Sequence, residues 1–196
     1  MRFLSIDIGI RNFAYCVVDI HNASSQTIIQ WEKIDILKEN GSKIKHAKSV
    51  PLSKLYRMVH DTLMRRHYQW IQQKIDLILI ENQIGKSKNA KMEGMISMWF
   101  YIHFQKVEGV SPSWKFELQY LNKSFQLVPA LHVSQSYHRR KFDLVDLISK
   151  WIRTQPIHIQ SFFNRFKGRI KTESKQDDLA DSFAQAVAWY LHKYGT

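Results

Sequence analysis

Four carboxylates stand in this sequence where an acid is costly unless something offsets its charge: Asp7, Glu81, Asp178 and Asp181. Asp7 lies inside Phe3-Leu4-Ser5-Ile6-Asp7-Ile8, a β-rich run that is apolar on both faces. An unpaired carboxylate there costs several kcal/mol and demands a cation. Glu81 ends the apolar run Ile75–Ile80. A buried strand that carries an acid at its C-terminal end is where open α/β sheets place functional groups. Asp178 and Asp181 open a helical stretch at a spacing of three, so both project from one face. Ala180, Ala184 and Ala188 let that helix lie close to a sheet, which sets Asp181 on the packed side. Each acid also has an ordinary reading: a turn cap for Asp7, a solvated strand end for Glu81, and helix-dipole capping for the Asp pair. Capping accounts well for Asp177. Brought together, the four would repel and raise one another's pKa. Oxygen-only ligands favour Mg²⁺ or Mn²⁺ as the relief. Two such ions ~3.5–4 Å apart activate a water and stabilise the leaving oxygen in phosphodiester cleavage.

The elements that must position these acids follow from hydrophobic periodicity. Phe3–Ile8 and Phe13–Ile20 read as strands joined by a tight turn. Gly9 in that turn permits an unusual backbone conformation and close approach of a phosphate, and Asn12 can close it. A third strand, Thr27–Ile36, alternates Ile28/Gln30/Glu32 with Ile29/Trp31/Lys33. Residues 37–50 read as a polar loop. Pro51 then opens an amphipathic helix through Leu55, Val59, Leu63 and Ile71. After the strand ending at Glu81, a second helix carries Met95, Met98, Trp99, Ile102 and Phe104, and residues 110–124 look irregular. A fifth strand is expected over Phe125–Val133, with Pro129 at a bulge or edge. Helices follow over Tyr137–Arg153 and from near Lys175 to the end, separated by an apolar segment (Ile157–Phe166) and a basic loop (Lys167–Lys175). Without repeats or a Gly/Ser linker, residues 1–196 read as one domain.

The 196 residues are 44% hydrophobic and 13% aromatic, the composition of a folded globule. No apolar run approaches the ~20 residues a membrane helix needs, and no secretory signal is visible. Cys16 is the only cysteine, which removes disulfide frameworks and cysteine-based zinc sites and points to an intracellular setting. The net charge of +12 suggests a polyanionic partner. Between His138 and Lys175, ten Lys and Arg face three acids, with Phe142, Trp151, Phe162, Phe163 and Phe166 interleaved and Tyr137 directly before them. Aromatics among cations favour nucleic acid over a merely solvated surface or an anionic lipid.

Three motifs taken in order, Ser5-Ile6-Asp7-Ile8-Gly9-Ile10-Arg11-Asn12, Ile80-Glu81-Asn82-Gln83 and Lys175-Gln176-Asp177-Asp178-Leu179-Ala180-Asp181, resemble the signatures of RuvC-type Holliday junction resolvases. The likeness is to the branch from poxviruses and other large DNA viruses, with fungal mitochondrial resolvases as siblings, and it spans nearly the whole chain. It implies an α/β, RNase H-like fold: a five-stranded mixed sheet, three antiparallel then two parallel strands, with helices on both faces. It also implies a homodimer, two Mg²⁺ per active site (Mn²⁺ substituting) and paired symmetric nicks in a four-way DNA junction. Asp7, Glu81, Asp178 and Asp181 match the family's metal-binding acids. Its catalytic lysine follows the fifth strand, and Lys141 is the match by position. Arg11, Asn12, Gln83, Lys86, Arg139, Arg140, Lys167, Arg169 and Lys171 are the expected DNA contacts. Residues 110–124 align with no family feature. The resemblance places the protein at sites of viral DNA replication, or in mitochondria for a fungal sibling. The helix after Glu81 is the expected dimer element, through Met95, Met98, Trp99 and Phe104. An RNA-processing nuclease of the RNase H type and a non-catalytic branched-DNA-binding module remain open. Actin-like and sugar-kinase ATPases share the Asp-x-Gly turn, but the length and glycines they need are missing.

Overall fold

The strand that opens the sequence becomes the centre of the sheet. In the computed structural model, β1 (Arg2–Asp7) pairs antiparallel with β2 (Phe13–Asn22), which pairs antiparallel with β3 (Ser25–Ile34). On its other side β1 runs parallel to β4 (Leu77–Glu81), and β4 parallel to β5 (Val107–Val110). The order is β3-β2-β1-β4-β5. The structure describes all residues except 45, 84, 86, 118–120, 122–124, 126–136, 165–176 and 196, and only the backbone of 137–139 and 162.

Phe3, Leu4, Ser5 and Ile6 are wholly buried because both faces of β1 are covered. Side chains alternate between the faces of a strand, so Phe3 joins Cys16, Trp31 and Leu79 on one side, and Leu4 and Ile6 join Tyr15, Val17, Ile78 and Ile80 on the other. The first face lies under helices α4 (Tyr137–Ile152), α5 (Ile157–Asn164) and α6 (Asp177–Tyr194). The second lies under α2 (Leu52–Gln72) and α3 (Lys88–Phe104). No described helix is long and apolar enough to cross a membrane.

Several elements differ from expectation. The fifth strand is Val107–Val110; of the segment expected to form it, Phe125 sits in a turn and 126–133 lie outside the described residues. Across the end of the expected third strand and the start of the expected loop, Ile36–Glu39 forms a short helix, α1, because the Asp35 carboxylate accepts from the Leu37 and Lys38 amides at 3.1 Å. In β3 a bulge makes Ile29 an extra, exposed residue, which returns Ile28 to the face of Trp31. The Ser87 hydroxyl caps α3, so this helix starts well before Met95. The apolar segment after Pro156 is α5; the basic loop 167–175 lies outside the described residues.

Trp99, expected at the centre of a dimer face, belongs instead to the core. It is 7% exposed and packs on Phe100, with centroids 5.0 Å apart, and on Trp70. Met95 and Phe104 pack partly against the same core. The exposed apolar side of α3 is Met98 (59%), Tyr101 (62%) and Ile102 (64%).

The position of α6 is set by hydrogen bonds as well as packing. The Trp31 indole donates to the Leu179 carbonyl at 2.9 Å and to Ser182 Oγ at 3.2 Å. Farther along, Gln185 Nε2 donates to the Ile6 carbonyl at 3.4 Å. Ala180, Ala184 and Ala188 are buried along this helix, as their small size allows.

Candidate active site

The sheet register carries a row of side chains to the end that α6 crosses. Asp7 is opposite Ala14, and Ala14 is opposite Lys33. Ile6 is opposite Ile80, so Glu81 continues the row beyond Asp7. The small Ala14 keeps the row open between Lys33 and Asp7. The start of α6 adds Asp177 and Asp178 from its first turn and Asp181 from the next.

Asp7, Glu81 and Asp181 meet around a lysine that sequence reasoning missed. Lys115, in a 3₁₀ turn over Trp114–Phe116, is 4% exposed. Its Nζ lies 3.0 Å from Glu81 Oε1 and 2.7 Å from Asp181 Oδ2. Burial by itself would lower the Lys115 pKa, but the charges of Asp181, Asp7 and Glu81 outweigh it and raise the value. Burial pushes the Asp7 carboxyl well above the usual range. Lys115 opposes this, while the charges of Glu81 and Asp181 and a hydrogen bond with Glu81 add to it. Burial also raises Asp181, against the pull of Lys115 and Lys141. Asp181 Oδ1 is buried and accepts no hydrogen bond from the described residues.

Asp178 is held apart from this trio. The ammonium of Lys33, on β3, donates to Asp178 Oδ2. Burial and the charge of Asp177 raise the Asp178 pKa, and Lys33 and Lys141 oppose them. The expected set of four acids is thus three around Lys115 and one on Lys33. Among the described residues no three acids, histidines or cysteines are arranged to hold a metal ion. Lys141, on α4, places Nζ 3.2 Å from Asp177 Oδ2 and 3.5 Å from Asp181 Oδ2, at the rim of the cluster.

A signal for Lys33 was present: it shares strand parity with the core residue Trp31, and a lysine on a core face needs an acid. Lys115 had a weaker one, as a lysine between two aromatics. Its true placement depends on β5 ending at Val110, five residues before it.

The expected DNA contacts are scattered. Arg11 Nη1 donates to Asp35 Oδ2 at 3.0 Å and Nη2 to the Ile44 carbonyl at 2.8 Å, and Asn12 is exposed beside it. The Gln83 backbone N–H donates to Glu93 Oε2 at 2.7 Å. The Arg140 guanidinium lies 5.3 Å from the Phe116 ring centre. Lys86, Lys167, Arg169 and Lys171, with the side chain of Arg139, lie outside the described residues. Gly9 has no positive φ. Glycine is needed there because a Cβ would meet the Asn12 carbonyl oxygen at 2.8 Å.

A family model described as Poxvirus A22 protein matches residues 1–193. The chain belongs to this family. The mitochondrial cruciform cutting endonuclease 1 of Schizosaccharomyces pombe is 24% identical over 204 residues, covering 96% of this chain and 77% of the relative. The fowlpox virus resolvase, solved with Holliday junction DNA, has a TM-score of 0.63 at 24% identity, over 99% of both chains. The yeast mitochondrial Holliday junction resolvase has a TM-score of 0.62 at 19% identity, over 96% of this chain and 78% of its own. The resemblance read from the three motifs is borne out, as is the RNase H-like mixed sheet of three antiparallel and two parallel strands.

Proposed function

We propose that this protein is a Holliday junction resolvase, an endonuclease that cuts paired strands of a four-way DNA junction with divalent metal ions. The observation that carries the reading is the convergence of Asp7, Glu81 and Asp181, from β1, β4 and α6, into one buried cluster. The donor set is all oxygen, and Asp181 Oδ1, without a hydrogen-bond partner among the described residues, is an acceptor that a cation can take. Both suit Mg²⁺, with Mn²⁺ as a substitute. Asp7, Glu81 and Asp181 would hold the ions, joined by Asp178 from its pair with Lys33. Bound there, two ions supply an activated water and a stabilised leaving oxygen.

The remaining roles belong to the chain. Lys141 at the rim offers positive charge to the phosphate under attack. Lys115 follows β5, where the family's catalytic lysine is expected, and so competes with Lys141 for that assignment. Arg11, Asn12, Gln83, Lys86, Arg139, Arg140, Lys167, Arg169 and Lys171 are proposed to contact DNA arms, in an electrostatic mode with little sequence dependence. Paired nicks need two active sites, so a chain that acts as one domain works as a homodimer. The exposed stripe Met98, Tyr101 and Ile102 on α3 is the proposed self-complementary surface. A poxvirus-family resolvase would act where viral DNA is replicated.

The test is cleavage of a synthetic four-way junction beside a linear duplex of the same sequence and an RNA–DNA hybrid, in Mg²⁺. Symmetric paired nicks in the junction alone are expected. Preferential cleavage of the hybrid would make the protein an RNase H-type nuclease. Junction binding without cutting in either Mg²⁺ or Mn²⁺ would make it a binding module.

A further inference from the structure

Lys115 holds the oxygens that a cation would need. Its Nζ takes Glu81 Oε1 and Asp181 Oδ2, and its charge also acts on Asp7, so one ammonium neutralises part of a buried three-acid cluster. With that ammonium between Glu81 and Asp181, no three acids among the described residues are set to hold a metal. The lysine is not a loose arm that happened to fall inward. On one side Trp114 stacks on His192 of α6, with ring centres 4.2 Å apart, and on the other the buried Phe116 lies under Arg140 of α4. The turn is therefore pinned at both flanks, while the side chain between them is an intrinsically flexible four-carbon stem.

We infer that Lys115 is an exchangeable internal cation: its ammonium holds Glu81 and Asp181 together when no metal is bound, and it leaves them when a divalent cation binds. The inference rests on the proposed metal-dependent reading of the same acids. It makes metal loading a competition within the site. Leaving the acids also frees the Lys115 ammonium for the negative charge of a DNA phosphate, so one residue serves the site before and after loading.

Two measurements test it, both with Mn²⁺ as the probe. Titration calorimetry compares the wild type with Lys115→Met. The variant binds Mn²⁺ about 10- to 100-fold more tightly if a charge-assisted hydrogen bond no longer has to break. The second measurement needs no variant and so does not depend on one that folds. The wild type is treated with an amine-acetylating reagent, with and without saturating Mn²⁺, and Lys115 modification is read by mass spectrometry. Protection in chelator and labelling in Mn²⁺ are expected. Equal or weaker Mn²⁺ binding by Lys115→Met, or a Lys115 that stays protected while Mn²⁺ is bound, overturns the exchange and leaves the metal site standing. No Mn²⁺ binding by either protein overturns the metal reading itself, and the exchange with it.

Discussion

The pair between Lys33 and Asp178 offers a stringent check on how the site is held. Lys33→Met removes the ammonium and keeps most of the side-chain volume. Both partners are partly buried, with 6% and 14% of their side chains exposed, so Asp178 would be left as an acid without its hydrogen-bonded cation. Breaking a buried pair in this way costs ~3–5 kcal/mol. Two features hold the loss to the lower end. Lys141 still acts on Asp178 from α4, and burial already raises the Asp178 pKa, so the acid can take up a proton instead of staying charged. A loss of about 3 kcal/mol is expected, which for a chain of this length lowers Tm by ~6–12 °C. Adding Asp178→Asn should recover most of it, because no unpaired charge remains, and the double-mutant cycle should report a coupling well above zero. The measurement is thermal unfolding by circular dichroism at pH 7 in chelator, on the wild type, both single variants and the double. If Lys33→Met melts within about 1 °C of the wild type, or the double variant is no more stable than Lys33→Met, the pair does not hold α6 to the sheet.

The raised pKa of Asp7 means that the folded protein keeps a proton the unfolded chain has released. Its stabilising contribution is full below the unfolded carboxyl value of about 4 and is lost as pH rises through the folded value. Chelated wild type should therefore lose stability from acid toward neutral pH more steeply than Asp7→Asn. The same variant should bind junctions and fail to nick them, and nicking at the wild-type rate would remove Asp7 from the reaction. For the basic residues, a triple change of Arg139, Lys167 and Arg169 to Ala should reduce the salt slope of log K for junction binding by ~0.9 for each phosphate that is no longer neutralised. An unchanged slope would return them to the solvated surface. On α3, Met98→Glu with Tyr101→Glu should yield a folded monomer in sedimentation, whereas Trp99→Ala should cost ~3–5 kcal/mol of fold stability. A double Glu variant that remains dimeric would move the interface elsewhere.

Much of this molecule is written locally. The doubly apolar run of β1 marks a central strand, the tight turn into β2 and the alternation of β3 mark its antiparallel neighbours, and an acid at the end of β4 marks the end of the sheet where chemistry sits. The Asp-x-x-Asp spacing and the small residues of α6 mark the helix that packs there. Those signals work because strand and helix periods tie residue spacing to side-chain direction. What they leave open is partnership across the chain. Lys33 reaches Asp178 only because the β1-β2-β3 register puts Asp7, Ala14 and Lys33 in one row beneath α6. Lys115 enters the acid cluster because the four residues of β5 add a strand beside β4 and turn the chain back over the sheet. So short a strand has no periodicity to read. Trp99 shows the same limit in reverse: a large apolar residue on an amphipathic helix faces either a partner or its own core, and only the packing of α2 against α3 turns it inward. Local sequence sets which side chains share a face; which of those faces meet, and which cation sits between the acids, is decided by tertiary contacts between residues far apart in the chain.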